Sequence, residues 1–168
     1  MLIKSYGLFW RASEIDWNPG KGAKGAFRLL GRRGSYLPGL RVAEFRKQQG
    51  IYILYGNFGP HYVGLTRKQG LGKRLKDHLT DDHKGLWDRF SWFGFCRVLK
   101  GQDEDGLRRV GKLAELSLGK SGKAIGDIEA LLIKAMGLSN VADMNFDSAE
   151  EWTQIRSHEV KHYLERVE

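Results

Sequence analysis

Five side chains, Tyr52, Tyr62, Arg74, His78 and Glu129, are of the types that hydrolysis of a phosphodiester calls for. A phenol or an imidazole can activate water, a guanidinium can grip a phosphoryl oxygen through paired N–H donors, and a carboxylate can hold a divalent cation that supports the leaving oxygen. Arg74 and His78 are four residues apart, so on a helix both project from one face. They border a stripe of Leu71, Leu75 and Leu79, through which the helix can pack while the two polar groups lean over a sheet edge. Glu129 falls at the margin of the apolar face of a later helical run, with Asp127 and Lys134 turned away from that face. A carboxylate at such a margin wants a cation or a hydrogen-bond partner, and a salt bridge to Arg74 answers that need as readily as a metal. The tyrosines face an obstacle, because a free phenol titrates near ~10 and is a poor base at neutral pH. Positive charge from Arg74 or a metal, with His78 accepting the proton, is expected to favour the phenolate. The plainer reading of both tyrosines is strand residues packed with their phenol edges outward.

Positioning these groups takes a hairpin and two helices. Gly50-Ile51-Tyr52-Ile53-Leu54-Tyr55 is β-branched and aromatic, Gly56 to Pro60 turns the chain, and His61 to Leu65 runs back, which predicts a β-hairpin. The leucine spacing predicts a helix from Leu71 to about Asp81, basic on its other face, and Lys123 to Gly137 a second one with Ile125, Ile128, Leu131, Leu132, Ala135 and Met136 on one face. Arg89 to Leu99 reads as a buried strand and Leu2 to Trp10 as a first one. Asp103 to Leu118 is expected to be helical despite Gly106 and Gly111, and Ser148 to Glu151 resembles a capping box opening a helix to near Glu168. The sum is an α/β (α+β) domain: a small, mainly antiparallel sheet of three or more strands flanked by helices. Residues 1–48 form a basic N-terminal extension, 49–146 the core and 147–168 a C-terminal helix packed on it.

The chain carries 28 Lys and Arg against 20 Asp and Glu, a net charge of +8, which favours a polyanionic partner. Lys21, Lys24, Arg28, Arg32 and Arg33 lie in a Gly-rich stretch and can contact phosphates, although a solvated loop explains them equally well. The single cysteine, Cys96, allows no intrachain disulfide and makes a thiolate metal site an unattractive reading. With neither a signal-like start nor an apolar run long enough to span a bilayer, the expected setting is the cytoplasm, away from membranes.

Gly50-Ile51-Tyr52, Tyr62-Val63-Gly64, Arg74, His78 and Glu129 occur in the order and context that resemble the GIY-YIG nucleases, over residues 48 to 146. The resemblance implies a metal-dependent endonuclease acting on double-stranded DNA, with RNA as the lesser choice and the oligomeric state open. It implies one Mg²⁺ or Mn²⁺ on Glu129 with waters completing the shell, Arg74 on a phosphoryl oxygen, and Tyr52 or Tyr62 as the base, Tyr52 taken first. The family's closing asparagine falls on Asn145, or on Asn140. Leu65 follows Gly64 where repair-type members have lysine; Arg67 or Lys68 can compensate, and Lys73 adds to the basic surface.

Two other motifs are weaker. His158-Glu159-Val160-Lys161-His162 has the zincin spacing, but it falls on a helix whose histidines turn away from the apolar stripe. Ala114 to Ser121 ends like a phosphate loop, without a buried strand before it. The rival to a nuclease is a nucleic-acid-binding module of the same fold that has lost cleavage.

Overall fold

The structure, a computed structural model, describes residues 2–20, 26–35, 38–66, 68–113, 121–137, 146 and 149–164, without the side chains of 121–126 and 129. Among the described residues, ten strands and three α-helices make an α+β fold: β1 (Ser5–Arg11), β2 (Leu30–Arg33), β3 (Arg41–Glu44), β4 (Gly50–Gly56), β5 (Gly59–Thr66), α1 (Leu71–Asp77), β6 (Arg89–Gly94), β7 (Val98–Gln102), β8 (Arg108–Val110), α2 (Ser121–Ala135), β9 (Glu150–Glu151), β10 (Thr153–Gln154) and α3 (Ser157–Leu164).

The predicted hairpin is β4 and β5, in a register that sets Tyr52 opposite Gly64 and Leu54 opposite Tyr62. It forms one edge of a five-stranded sheet ordered β5-β4-β6-β1-β9. A second five-stranded sheet runs β10-β2-β3-β8-β7. Each sheet contains one parallel pair, β1 with β9 and β3 with β8, and is otherwise antiparallel. Two mixed sheets thus stand where the sequence predicts one small sheet, and residues 1–48 supply strands to both.

Alternation along β4 sorts the core. Tyr52 and Leu54 face Leu71 and Leu75 of α1, together with Trp10, Phe45, Phe90, Trp92 and Trp152, in a cluster that joins the two sheets. Ile53 and Tyr55 face the other way, onto Ala130 and Ala135 of α2, with Tyr6, Phe93 and Phe146. Leu30, Val42, Leu107 and Ile155 pack beneath Val160, Tyr163 and Leu164 of α3. The first sheet therefore has α2 on one face, and α1 with the second sheet on the other.

Several expectations are corrected. The 103–118 helix is replaced, within its described part, by a turn and β8, because the Asp103 carboxylate caps the turn through Asp105 N and Leu107 N and ion-pairs with Arg109. The C-terminal helix begins at Ser157 instead of 148; Glu150–Gln154 is extended, with Trp152 and Ile155 buried. On α2, Asp127 and Lys134 turn toward the sheet. Asp127 is buried and accepts the Leu2 N–H at 3.0 Å, and Lys134 stands over the Tyr6 ring. Ile128, Leu132 and Met136, expected in the core, are exposed. Small residues account for this: Ala130 and Ala135 let the helix approach closely enough for the Tyr55 hydroxyl to donate to the Ala135 carbonyl at 2.5 Å.

Candidate active site

Four of the five singled-out residues gather at the β5 edge. Gly70, with φ of 78°, starts α1 where a Cβ would press on the Arg46 carbonyl, and Leu71 and Leu75 seat the helix against the hairpin. That seating brings His78, at the C-terminal end of α1, over the Tyr52 ring, and the backbone carbonyl of His78 is fixed by the Trp87 indole N–H at 3.1 Å.

The Tyr52 hydroxyl and His78 Nε2 are 2.7 Å apart, and His78 Nδ1 is 2.7 Å from Asp81 Oδ2. A carboxylate only accepts, so Nδ1 carries the proton, and Nε2 presents its lone pair to the phenol. The order Tyr52–His78–Asp81 is a proton relay with its orienting carboxylate in place. Burial works against ionisation of Asp81, but the His83 backbone N–H and His78 outweigh it and hold its carboxyl below the ordinary range. The positive charge of Arg74 lies close enough to favour ionisation of the same phenol.

Burial pushes the Tyr52 phenol up to about 12, and the opposing charge of Arg74 does not overcome it. Arg74 by itself therefore does not yield a phenolate at Tyr52, which is fully buried, so that desolvation dominates. Tyr62 is half-buried beside it, its ring 5.2 Å from His78 and 4.3 Å from His83, centroid to centroid. Gly64 completes the arrangement, since any side chain there would overlap the Tyr52 ring.

Glu129 belongs to α2, the helix on the opposite face of the sheet from α1, and its side chain lies outside the described residues. Asn140, Asn145, Arg67, Lys21 and Lys24 also lie outside them. Among the described residues, the groups near the hairpin tyrosines that can hold a metal are His78, Asp81 and His83. A donor set of two imidazoles and one carboxylate suits a borderline transition ion better than Mg²⁺.

The expected phosphate contacts are largely engaged elsewhere. Arg28 pairs with Asp105 at 3.0 Å, Arg32 with Glu159 at 3.4 Å, Arg33 with Glu150 at 2.6 Å and Lys73 with Asp77 at 3.1 Å. Lys68 is exposed. A basic cleft of about 570 Å³ is lined instead by Lys4, Arg41, Arg97, Lys100 and Arg108, together with Glu150. Its residues come from distant segments, so no local signal announces it. Asp81 had a signal that sequence reading passed over: it follows His78 at i+3, within reach across one helical turn. His158 and His162 are exposed, and Glu159 is taken by Arg32. Ser121 begins α2, and the loop-like 114–120 before it lies outside the described residues. Among the described residues, no helix is long and apolar enough to cross a membrane.

No family model matches the sequence, and neither does any curated protein or solved structure.

Proposed function

We propose that this protein is an endonuclease of the GIY-YIG type that hydrolyses phosphodiester bonds in nucleic acid, double-stranded DNA first. The observation that carries the reading is the Tyr52–His78–Asp81 relay, with the Arg74 charge acting on the same phenol. The raised phenol is protonated at neutral pH, so Tyr52 and His78 act together. As the attacking water gives its proton to the Tyr52 oxygen, the phenol proton passes to His78 Nε2, and Asp81 stabilises the imidazolium. The carbonyl end of α1 favours the same positive charge. Arg74 grips a phosphoryl oxygen through its N–H donors and neutralises charge at phosphorus. The bond from phosphorus to the leaving oxygen then breaks, and solvent protonates that oxygen.

The basic cleft supports a polyanionic partner. Its lining comes mainly from β3, β7 and β8 of the second sheet, with Glu150 from β9 of the first.

A plasmid nicking assay with Mg²⁺ or Mn²⁺ tests the reading. Cleavage by the wild type, with losses of roughly 10²-fold or more in His78→Ala and Tyr52→Phe and unchanged DNA affinity, is the expected result. The complete burial of Tyr52 favours the rival, a binding module whose relay is a structural lock. DNA binding with no cleavage under either metal establishes the rival instead.

A further inference from the structure

More imidazole stands beside Tyr62 than the relay uses. His61, exposed at the start of β5, and His83, half-buried in the turn after α1, bring His61 Nε2 and His83 Nδ1 to 3.0 Å. The His83 ring is also 5.0 Å from that of His78 and 4.3 Å from that of Tyr62. Ligand atoms of His78, Asp81 and His83 all lie within 4.8 Å of one another. Asp81 is held in place, its Oδ1 taking the His83 backbone N–H at 2.8 Å and its Oδ2 facing His78 Nδ1.

Two facing imidazole nitrogens at this separation share either a proton or a cation. With metal–nitrogen bonds of about 2.0–2.1 Å and a tetrahedral angle, two ligand nitrogens stand about 3.3 Å apart, so the His61–His83 pair needs to open by only a few tenths of an ångström. Three neutral imidazoles and one carboxylate are the donors that zinc, cobalt and nickel prefer over magnesium or calcium.

We propose that His78 Nδ1, Asp81 and His83 form a binding site for one transition-metal dication of the zinc class, which the exposed His61 swings in from beside His83 to complete, and that its occupancy switches the relay off. Coordination at Nδ1 displaces the proton that Asp81 now holds there. Through solvent exchange the ring takes that one proton back on Nε2 and stays neutral, and the phenol of Tyr52 meets a donor where it had an acceptor. The switching half rests on the nuclease reading; the binding half does not.

Zn²⁺ titrated into the metal-free chain against a chromophoric chelator measures the site, with Co²⁺ as the optical probe. The expected result is one ion per chain, the visible bands of tetrahedral cobalt, and affinity falling at least 10-fold in His83→Ala and in His61→Gln. The double variant His158→Ala/His162→Ala should bind as the wild type does. His61 is a surface residue, so its variant remains informative if His83→Ala is poorly folded. Affinity unaltered by His61→Gln, or lost with His158 and His162, overturns the site. In ¹⁵N-histidine spectra, zinc should move the His78 proton from Nδ1 to Nε2, and a fixed tautomer overturns the switch. One equivalent of zinc should lower nicking at least 10-fold in excess Mg²⁺, reversibly with a zinc-selective chelator. If the chain proves not to cut, the affinity and nitrogen data still decide the site.

Discussion

Tyr52 and Gly64 sit opposite each other across the hairpin, and the tyrosine ring fills the space that a side chain at 64 would need. Gly64→Ala therefore forces ring or strand to move, at about 1–3 kcal/mol, and carries the phenol off His78. Urea unfolding should show that loss in the wild-type background and little of it in Tyr52→Ala, where the ring is gone. Equal losses in both backgrounds would place the cause outside this contact.

Alkaline pH should expose the buried phenols. Desolvation pushes both Tyr52 and Tyr6 up to about 12, with the Glu151 charge adding to the effect at Tyr6 and Arg74 opposing it at Tyr52. An unfolded tyrosine titrates near ~10, so below that pH both states keep the proton and the contribution is fully present. Between roughly 10 and 12 the unfolded chain ionises first and stability falls as pH rises, by on the order of 2 kcal/mol for each tyrosine. Burial raises the Tyr55 phenol and the Cys96 thiol as well, so Tyr52→Phe should flatten a part of that slope, well short of all of it, in denaturant midpoints taken across the window. A slope identical to wild type would refute the buried-phenol account.

Gln48 is a buried amide whose Nε2 donates to Ser5 Oγ and to the Cys96 carbonyl, while its Oε1 accepts from Gln49 N and Cys96 N, all between 2.9 and 3.0 Å. Gly94 leaves room for it, since a Cβ there would strike the amide. Gln48→Leu keeps the volume and strands the Cys96 backbone groups, at about 2–4 kcal/mol. Thermal unfolding that shifts by less than a third of this would mean that water replaces the amide.

Salt dependence should separate the two basic regions. Arg97→Ala and Lys100→Ala, in the cleft, are each expected to reduce the slope of log affinity for a DNA duplex against log salt by roughly one. Lys73→Ala and Arg28→Ala, whose charges are already paired with Asp77 and Asp105, should leave it nearly unchanged. Fluorescence anisotropy across a salt series reads this directly, and the reverse pattern would return the nucleic acid to the N-terminal stretch.

What the sequence made legible is the portion built from local contacts. Tyr52, Tyr62, Arg74 and His78 lie on one continuous hairpin-plus-helix, whose period of two changes to a leucine stripe at Leu71, and such patterns identify their own elements. The second sheet left no comparable trace: β2, β3, β8 and β10 have two to four residues each, and β10 finds β2 across more than a hundred positions. Strands so short take their form from their partners, which is why Asp103–Val110 and Glu150–Gln154 looked helical when read alone. Asp81 and His83 were hidden differently, as ordinary polar turn residues until α1 placed His78 beside them.

The stretch from Glu150 to Gln154 pairs first with β1 and then with β2, and between the two pairings the carbonyl of Trp152 accepts the Trp10 indole N–H at 3.2 Å. Both sheets therefore wait for the same clasp. During translation the aromatic core around Tyr52 stays unsealed until residue 154 has left the ribosome, so the relay takes its final form long after its own hairpin and helix have emerged.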